Sequence, residues 1–282
     1  MRGLRFVLFC TLDRASRRWY SRTERAVSSM VEQWAFNPLV LGSSPRRPTG
    51  KNLNQFVKRD RLRRAVSARV NSAPVRLDGA LFETARRHLT RRDRTLAPLI
   101  RRVGPCHFRP SGRPFASLVR SILYQQLAGR AAAAIYGRFR DCFGGRDPRP
   151  EELLRLSDAA LRAVGLSRQK IAALRSAAET FACGGVRERR LFHMSDVEVT
   201  AAVTQIRGVG EWTAHMLLMF SLGRPDVLPV GDYGVRKGAM ELYGLRELPN
   251  PRRLEKLAKP WRPYRSVAAW YLWRQLDVVV LG

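Results

Sequence analysis

The sequence predicts an all-α protein. Three observations carry that prediction. Apolar residues recur at three- and four-residue steps through most of the chain from Leu77, capping residues stand at the start of several such stripes, and no convincing alternating stretch of the kind a half-buried strand needs is present. About eight to ten helices are expected, with no internal repeat.

The elements follow in order. Leu81, Ala85, His88 and Leu89 keep helix spacing, and Leu96, Leu99 and Ile100 continue it. Phe115, Leu118, Val119, Ile122 and Leu123 form a clear amphipathic stripe. Residues 131–139 read as a further helix closed by Gly144 and Gly145, and residues 151–164 as another that ends at Gly165. Ser167 is placed to cap a helix containing Ile171, Leu174, Ala178 and Phe181. Ser195 and Glu198 have the spacing of a capping box ahead of Val199, Val203 and Ile206. Residues 213–222 are apolar nearly all round, the pattern of a helix buried on every side. Residues 234–243 and 264–276 complete the set, with Trp270 expected to pack inside.

Composition narrows the function. The 282 residues carry a formal net charge of +29, which suits a polyanionic partner such as DNA, because Lys and Arg that replace phosphate counterions supply affinity. An Arg-rich composition by itself is also compatible with no such partner. The cysteines Cys10, Cys106, Cys142 and Cys183 lie far apart in sequence, so neither metal-ligand spacing nor a disulfide framework is visible, and reduced thiols in a cytoplasmic protein are expected. No apolar run reaches the roughly 20 residues that span a bilayer. Residues 6–12 (FVLFCTL) resemble a short signal core, but Asp13 and several arginines follow where a small-residue cleavage site would stand.

Residues 1–76 differ from the rest, holding 17 Lys and Arg against 4 Asp and Glu with poor apolar periodicity. They read as a basic extension, either a DNA-tracking arm, a transit peptide or an unstructured tail. The stretch QWAFNPLVLGSSPRRPT also looks like the conceptual translation of a transfer-RNA gene, which would make this region an artefact of the chosen start. Tail or artefact is the favoured expectation, with the folded domain at residues 77–282.

Residues 206–232, IRGVGEWTAHMLLMFSLGRPDVLPVGD, say most about function. Gly208, Val209 and Gly210 form a glycine hairpin whose backbone N–H groups are placed to meet a phosphate, with Thr213 at the start of the helix that follows adding its positive dipole end. About twenty residues on, a Gly/Pro-rich loop presents Asp232 beside a second helix start. The plainer reading of DYGV is an ordinary N-cap, and the two roles can coexist. A phosphate grip and a carboxylate at fixed separation suit an enzyme acting on nucleic acid.

The ordered segments FASLVRSILYQQLAGRAAAAI, GLSRQKIAAL, IRGVGEWTAHMLLMF, LPVGDYGVRKG and WRPYRSVAAWYLW resemble the helix-hairpin-helix DNA glycosylase superfamily, and within it the 3-methyladenine DNA glycosylase II branch. The resemblance covers roughly residues 77–282. It implies a two-lobed helical bundle with the active site in a cleft between lobes, and hydrolysis of the N-glycosidic bond of alkylated purines in duplex DNA during base excision repair. Asp232 would be the catalytic carboxylate, ionised at its helix N-terminus. The faces of Trp212 and Trp273 would stack on a flipped cationic base, with Tyr233 and Tyr124 as further pocket residues. Gln126, with Gln125 beside it, would be the wedge filling the gap left by that base. Arg168, Lys170 and Arg236 are candidate phosphate contacts, each weighed against a solvated charge.

Trp212 occupies the register where bifunctional relatives carry a Schiff-base lysine, so the resemblance implies a hydrolase without lyase activity. No cysteine follows Cys183, so no iron–sulfur cluster and no other metal or cofactor is expected, apart from a monovalent cation at the hairpin carbonyls. The expected partner is damaged double-stranded DNA, met by a monomer in the cytoplasm, at the nucleoid if the source is bacterial. The alternatives are the same chemistry on uracil or a deaminated purine, or a non-catalytic helix-hairpin-helix DNA-binding protein. The preferred reading needs Asp232 opposite the sugar of an everted nucleotide; a carboxylate far from any groove, or sealed behind packed helices, would defeat it.

Overall fold

The computed structural model describes residues 74–125 and 129–280. Everything expected of residues 1–73 lies outside them, as does Gln126. Among the described residues the protein is all helical, with thirteen α-helices and one 3-10 turn.

Two groups of helices form the two lobes. The first is continuous in sequence. Within it, α3 (Pro114–Tyr124) packs against α4 (Gly129–Asp141), α7 (Arg168–Ala182) and α10 (Glu211–Phe220). The short α5 (Pro150–Arg155) and α6 (Asp158–Ala163) lie on α7, the single turn α8 (Glu188–Leu191) follows, and α9 (Asp196–Val203) packs on α10. The second lobe joins the two ends of the chain. In it α13 (Arg265–Val280) packs against α11 (Tyr233–Leu242), α2 (Leu96–Val103) and α1 (Gly79–Arg92), and α12 (Pro251–Leu257) meets the 3-10 turn Lys259–Trp261.

Most expected helices form where the apolar stripes lie. Phe115, Leu118, Val119, Ile122 and Leu123 are all buried on α3, and Ala268 to Trp273 are buried in succession on α13, including Trp270. Removing that much apolar surface from water stabilises each helix by roughly 1.5–3 kcal/mol per large side chain. Ser167 accepts a hydrogen bond from the Lys170 N–H, and Ser195 and Glu198 complete their capping box.

Two expected helices are each broken in two. The stripe from Leu81 to Ile100 divides at Asp93, whose carboxylate takes the N–H groups of Thr95 and Leu96 and so starts α2 as a separate helix. The same buried carboxylate accepts the indole N–H of Trp261 at 2.7 Å and the hydroxyl of Tyr243. Residues 151–164 divide at Ser157, which caps α6 through the Ala160 N–H. In both cases a side chain that competes for backbone N–H groups interrupts an apolar pattern that is otherwise helical.

Candidate active site

The hairpin is the turn between α9 and α10. Val203, Ile206 and Val209 are buried and anchor it from beneath. Gly208 has φ +76°, and a Cβ there would lie 2.9 Å from the Cβ of Ala173 on α7, so both backbone and packing require glycine. One expectation is corrected: the Val209 N–H already donates to the Ile206 carbonyl at 3.1 Å and is not available to a phosphate. The groups that remain are those of the uncapped helix start. Gly210 is the N-cap of α10 and has no side chain to bond the first-turn N–H groups, which leaves them for an anion. Thr213 is buried, so it does not reach a ligand with its side chain in this state.

The Gly/Pro-rich loop after α10 is tightly held. Gly223 turns it at φ +71°. Ser266 donates to the Arg224 carbonyl and accepts from the Val227 N–H, while Arg265 forms a forked ion pair with Asp226. Buried Val227 and Leu228 carry the chain back over the core to Asp232. Arg224, 2% exposed, donates to the carbonyls of Leu191 and Met194 and fixes the turn after α8.

Asp232 is the N-cap of α11, as its context suggested. Its Oδ1 accepts the Val235 N–H at 2.8 Å and the Trp273 indole N–H at 2.9 Å, and its Oδ2 accepts the Trp212 indole N–H at 2.8 Å. The residue is 2% exposed. Burial pushes its carboxyl up to about 7, against the opposing pull of the donors on Trp212, Val235, Trp273 and Gly234. The helix terminus does favour the ionised form through the Val235 and Gly234 N–H groups, but desolvation outweighs it. The groove-side placement expected of this carboxylate is also not what this state has, since Asp232 is covered. The cover over Oδ2 is Trp212, which is itself only half-buried.

The two tryptophans meet Asp232 edge-on. The Trp273 ring is 5% exposed and stacks on Phe220, centroids 5.7 Å apart, so one of its faces is occupied. Phe220 in turn packs on Phe108, and Phe108 on Phe82. This aromatic ladder joins the two lobes at the site. In the sequence only the apolar character of Phe220 and Phe108 is visible.

The other expected site residues divide. Gln125 is held at the hairpin, donating to the Gly208 carbonyl at 3.1 Å and to Thr213 Oγ1 at 3.3 Å, so its amide is engaged with protein. Tyr124 is buried in an edge-to-face pair with Tyr136, and Arg120 lies over both rings. Lys170 is half-buried with its ammonium on the Leu123 carbonyl at the end of α3, and desolvation lowers it to about 8. Arg236 donates to the Pro249 carbonyl, a tie within its own lobe. Arg168 is exposed at the start of α7, and Tyr233 is partly buried beside Asp232. Among the described residues no cluster of His, Cys, Asp and Glu is placed to hold a metal ion, and no helix is long and apolar enough to cross a membrane. Two hollows open on the described surface, of about 1220 Å³ beside Phe82 and Cys106 and about 560 Å³ beside Arg113 and Glu152; neither is lined by Asp232 or the hairpin.

Comparison with known proteins identifies the family of the chain. Residues 119–263 match the family described as HhH-GPD superfamily base excision DNA repair protein. The chain is 36% identical over 194 residues to DNA-3-methyladenine glycosylase 1 of Schizosaccharomyces pombe, covering 66% of this chain and 84% of that protein. Its fold is similar to the solved structure of a 3-methyladenine DNA glycosylase of that yeast in complex with abasic DNA, with a TM-score of 0.62 over 68% of this chain and 95% of that one. It is also similar to a DNA-3-methyladenine glycosidase from Bacillus halodurans, with a TM-score of 0.64 and 39% identity over 70% of this chain and 91% of that one.

Proposed function

The chain belongs to the HhH-GPD superfamily of base excision DNA repair proteins, and we propose that it removes alkylated purines of the 3-methyladenine type from duplex DNA by hydrolysing the N-glycosidic bond, without strand cleavage and with no cofactor beyond a monovalent cation at the hairpin. The glycosylase domain is residues 77–282, working as a monomer on the chromosome in the cytoplasm.

One observation supports the catalytic assignment above the others. Asp232 is a carboxyl out of bulk water whose hydrogen bonds all come from neutral donors, one of them the half-buried Trp212, beside the hairpin turn. Burying a carboxylate without a counter-charge is costly. A helix cap alone does not require it, since Ser, Thr or Asn would serve. A perturbed carboxyl of this kind is what a reaction passing through a cationic sugar calls for.

The chemistry follows from the substrate. A purine methylated at N3 or N7 carries positive charge and leaves readily, so little acid catalysis is needed. The enzyme has to evert the nucleotide, hold the strand and place a negative oxygen against the developing oxocarbenium ion. The first-turn N–H groups of α10 hold a phosphate, and Asp232 stabilises the sugar cation and orients the attacking water. Entry requires Trp212, the half-buried cover of Oδ2, to move aside. A cation arriving next to Asp232 favours its ionised form and counteracts the effect of burial.

The test is release of labelled methylpurines from methylated duplex DNA by the wild type and by Asp232→Asn. Loss of release with retained DNA binding is expected. Retained release would remove Asp232 from the mechanism, and binding without release by the wild type would favour a purely DNA-binding role.

A further inference from the structure

Resting on that reading, we propose that Trp212 and Trp273 are positioning residues, whose indole N–H groups aim the Asp232 carboxylate at the sugar or the water.

The geometry supplies the argument. A carboxylate offers about four acceptor positions. On Oδ1, both are taken, by the Val235 N–H at 2.8 Å and the Trp273 N–H at 2.9 Å. Oδ2 accepts the Trp212 N–H at 2.8 Å, and the Gly234 N–H adds a further pull on the carboxylate. The donors come from three different elements, α11, α13 and α10, so the plane of the carboxylate is fixed with respect to both lobes. The two indoles are not equivalent. Trp273 is 5% exposed and braced on Phe220, which makes it the fixed donor. Trp212 is half-buried at the first turn of α10, next to the phosphate-binding end of that helix, which makes it the donor that can yield when a nucleotide enters.

Charged groups around the site are engaged elsewhere. On α10, Glu211 and His215 face each other at 3.8 Å. On α11, Arg236 bonds the Pro249 carbonyl and Lys237 pairs with Glu241, with Tyr233 adjacent in sequence to Asp232. On α13, Arg265 pairs with Asp226 and Arg274 lies over the Trp270 ring. The neutral indole donors therefore do the work that a cation does in other buried carboxylate sites.

Trp→Phe separates the roles, since phenylalanine keeps an aromatic face and lacks the N–H. The experiment is a titration of the Asp232 carboxyl by carbon-detected NMR in the full chain, for wild type, Trp212→Phe and Trp273→Phe, together with the pH profile of single-turnover release of 7-methylguanine. Each substitution is expected to raise the carboxyl midpoint by about one pH unit, and so to lower the rate about tenfold on the acid side. Midpoints that coincide with wild type, with any loss of rate equal at all pH values, would overturn the proposal and leave the rings as packing or stacking surfaces. If Trp273→Phe fails to fold, Trp212→Phe, at the less buried position, carries the same comparison. The titration needs no turnover, so it decides the positioning role even if no methylpurine is released, an outcome that would instead count against the glycosylase reading.

Discussion

Gly238 of α11 lies against Leu272 of α13 so closely that a Cβ on the glycine would come within 2.3 Å of the Leu272 carbonyl oxygen. This contact sets the spacing of the two helices that carry Asp232 and Trp273. Gly238→Ala is expected to destabilise the protein by about 1–3 kcal/mol, as overpacking of a tight interface does. Base release should fall more than DNA binding, because the hairpin belongs to the other lobe. Urea unfolding alongside binding and release assays checks this; an unchanged urea midpoint would refute the contact.

The Asp232 carboxyl, raised by burial to about 7, makes stability and activity respond oppositely to pH. Its folded value lies above the unfolded value of about 3.9, so folding takes up a proton between them. The stability this contributes is full below about pH 4 and is lost as pH rises through about 7, a change on the order of a few kcal/mol. Activity needs the ionised form and rises over the same window. Unfolding free energies of wild type and Asp232→Asn should therefore differ by an amount that depends on pH. A constant difference from pH 4 to pH 8 would contradict it.

Gly208→Ala forces a side chain into φ +76° and to within 2.9 Å of Ala173. A strain of about 1 kcal/mol is expected from the backbone alone. Distortion of the turn should weaken binding to damaged and undamaged duplexes alike, by several-fold, since phosphate contacts carry no sequence or lesion information. Fluorescence anisotropy at one salt concentration measures this. A defect confined to the damaged duplex would place Gly208 at the base and not at the backbone.

Asp93→Ala removes the cap of α2 and strands the indole N–H of Trp261 and the hydroxyl of Tyr243 in the interior. A loss of about 2–4 kcal/mol is expected. The acid limb of the reaction should stay where it is, because Asp93 makes no bond to Asp232. A thermal melt and a pH profile together test both halves of this expectation.

The helices were largely legible because their signals are local. The Phe115 stripe, the Ser167 cap and the Ser195–Glu198 box each lie within about two turns, and each forms as read. The break at Asp93 was not read, although an Asp inside an apolar stripe is itself a cap signal. Its full role depends on Tyr243 and Trp261, 150 and 168 residues away. At the site, the cap at Asp232 was visible in DYGV, whereas the orientation of Trp212 and Trp273 was not. Periodicity tells which side of a helix a ring leaves from; it carries no information on whether the ring presents its face or its edge. The burial that moves the Asp232 carboxyl is likewise a sum over three helices, and no local pattern encodes it.

The second lobe is assembled from both ends of the described chain, while α3 to α10 are consecutive. During synthesis the hairpin and the helix after it are therefore complete in sequence once Phe220 has left the ribosome, but Asp232 meets its Trp273 donor only some fifty residues after that. The set of donors around Asp232 is completed only when the last helix has closed on the first two.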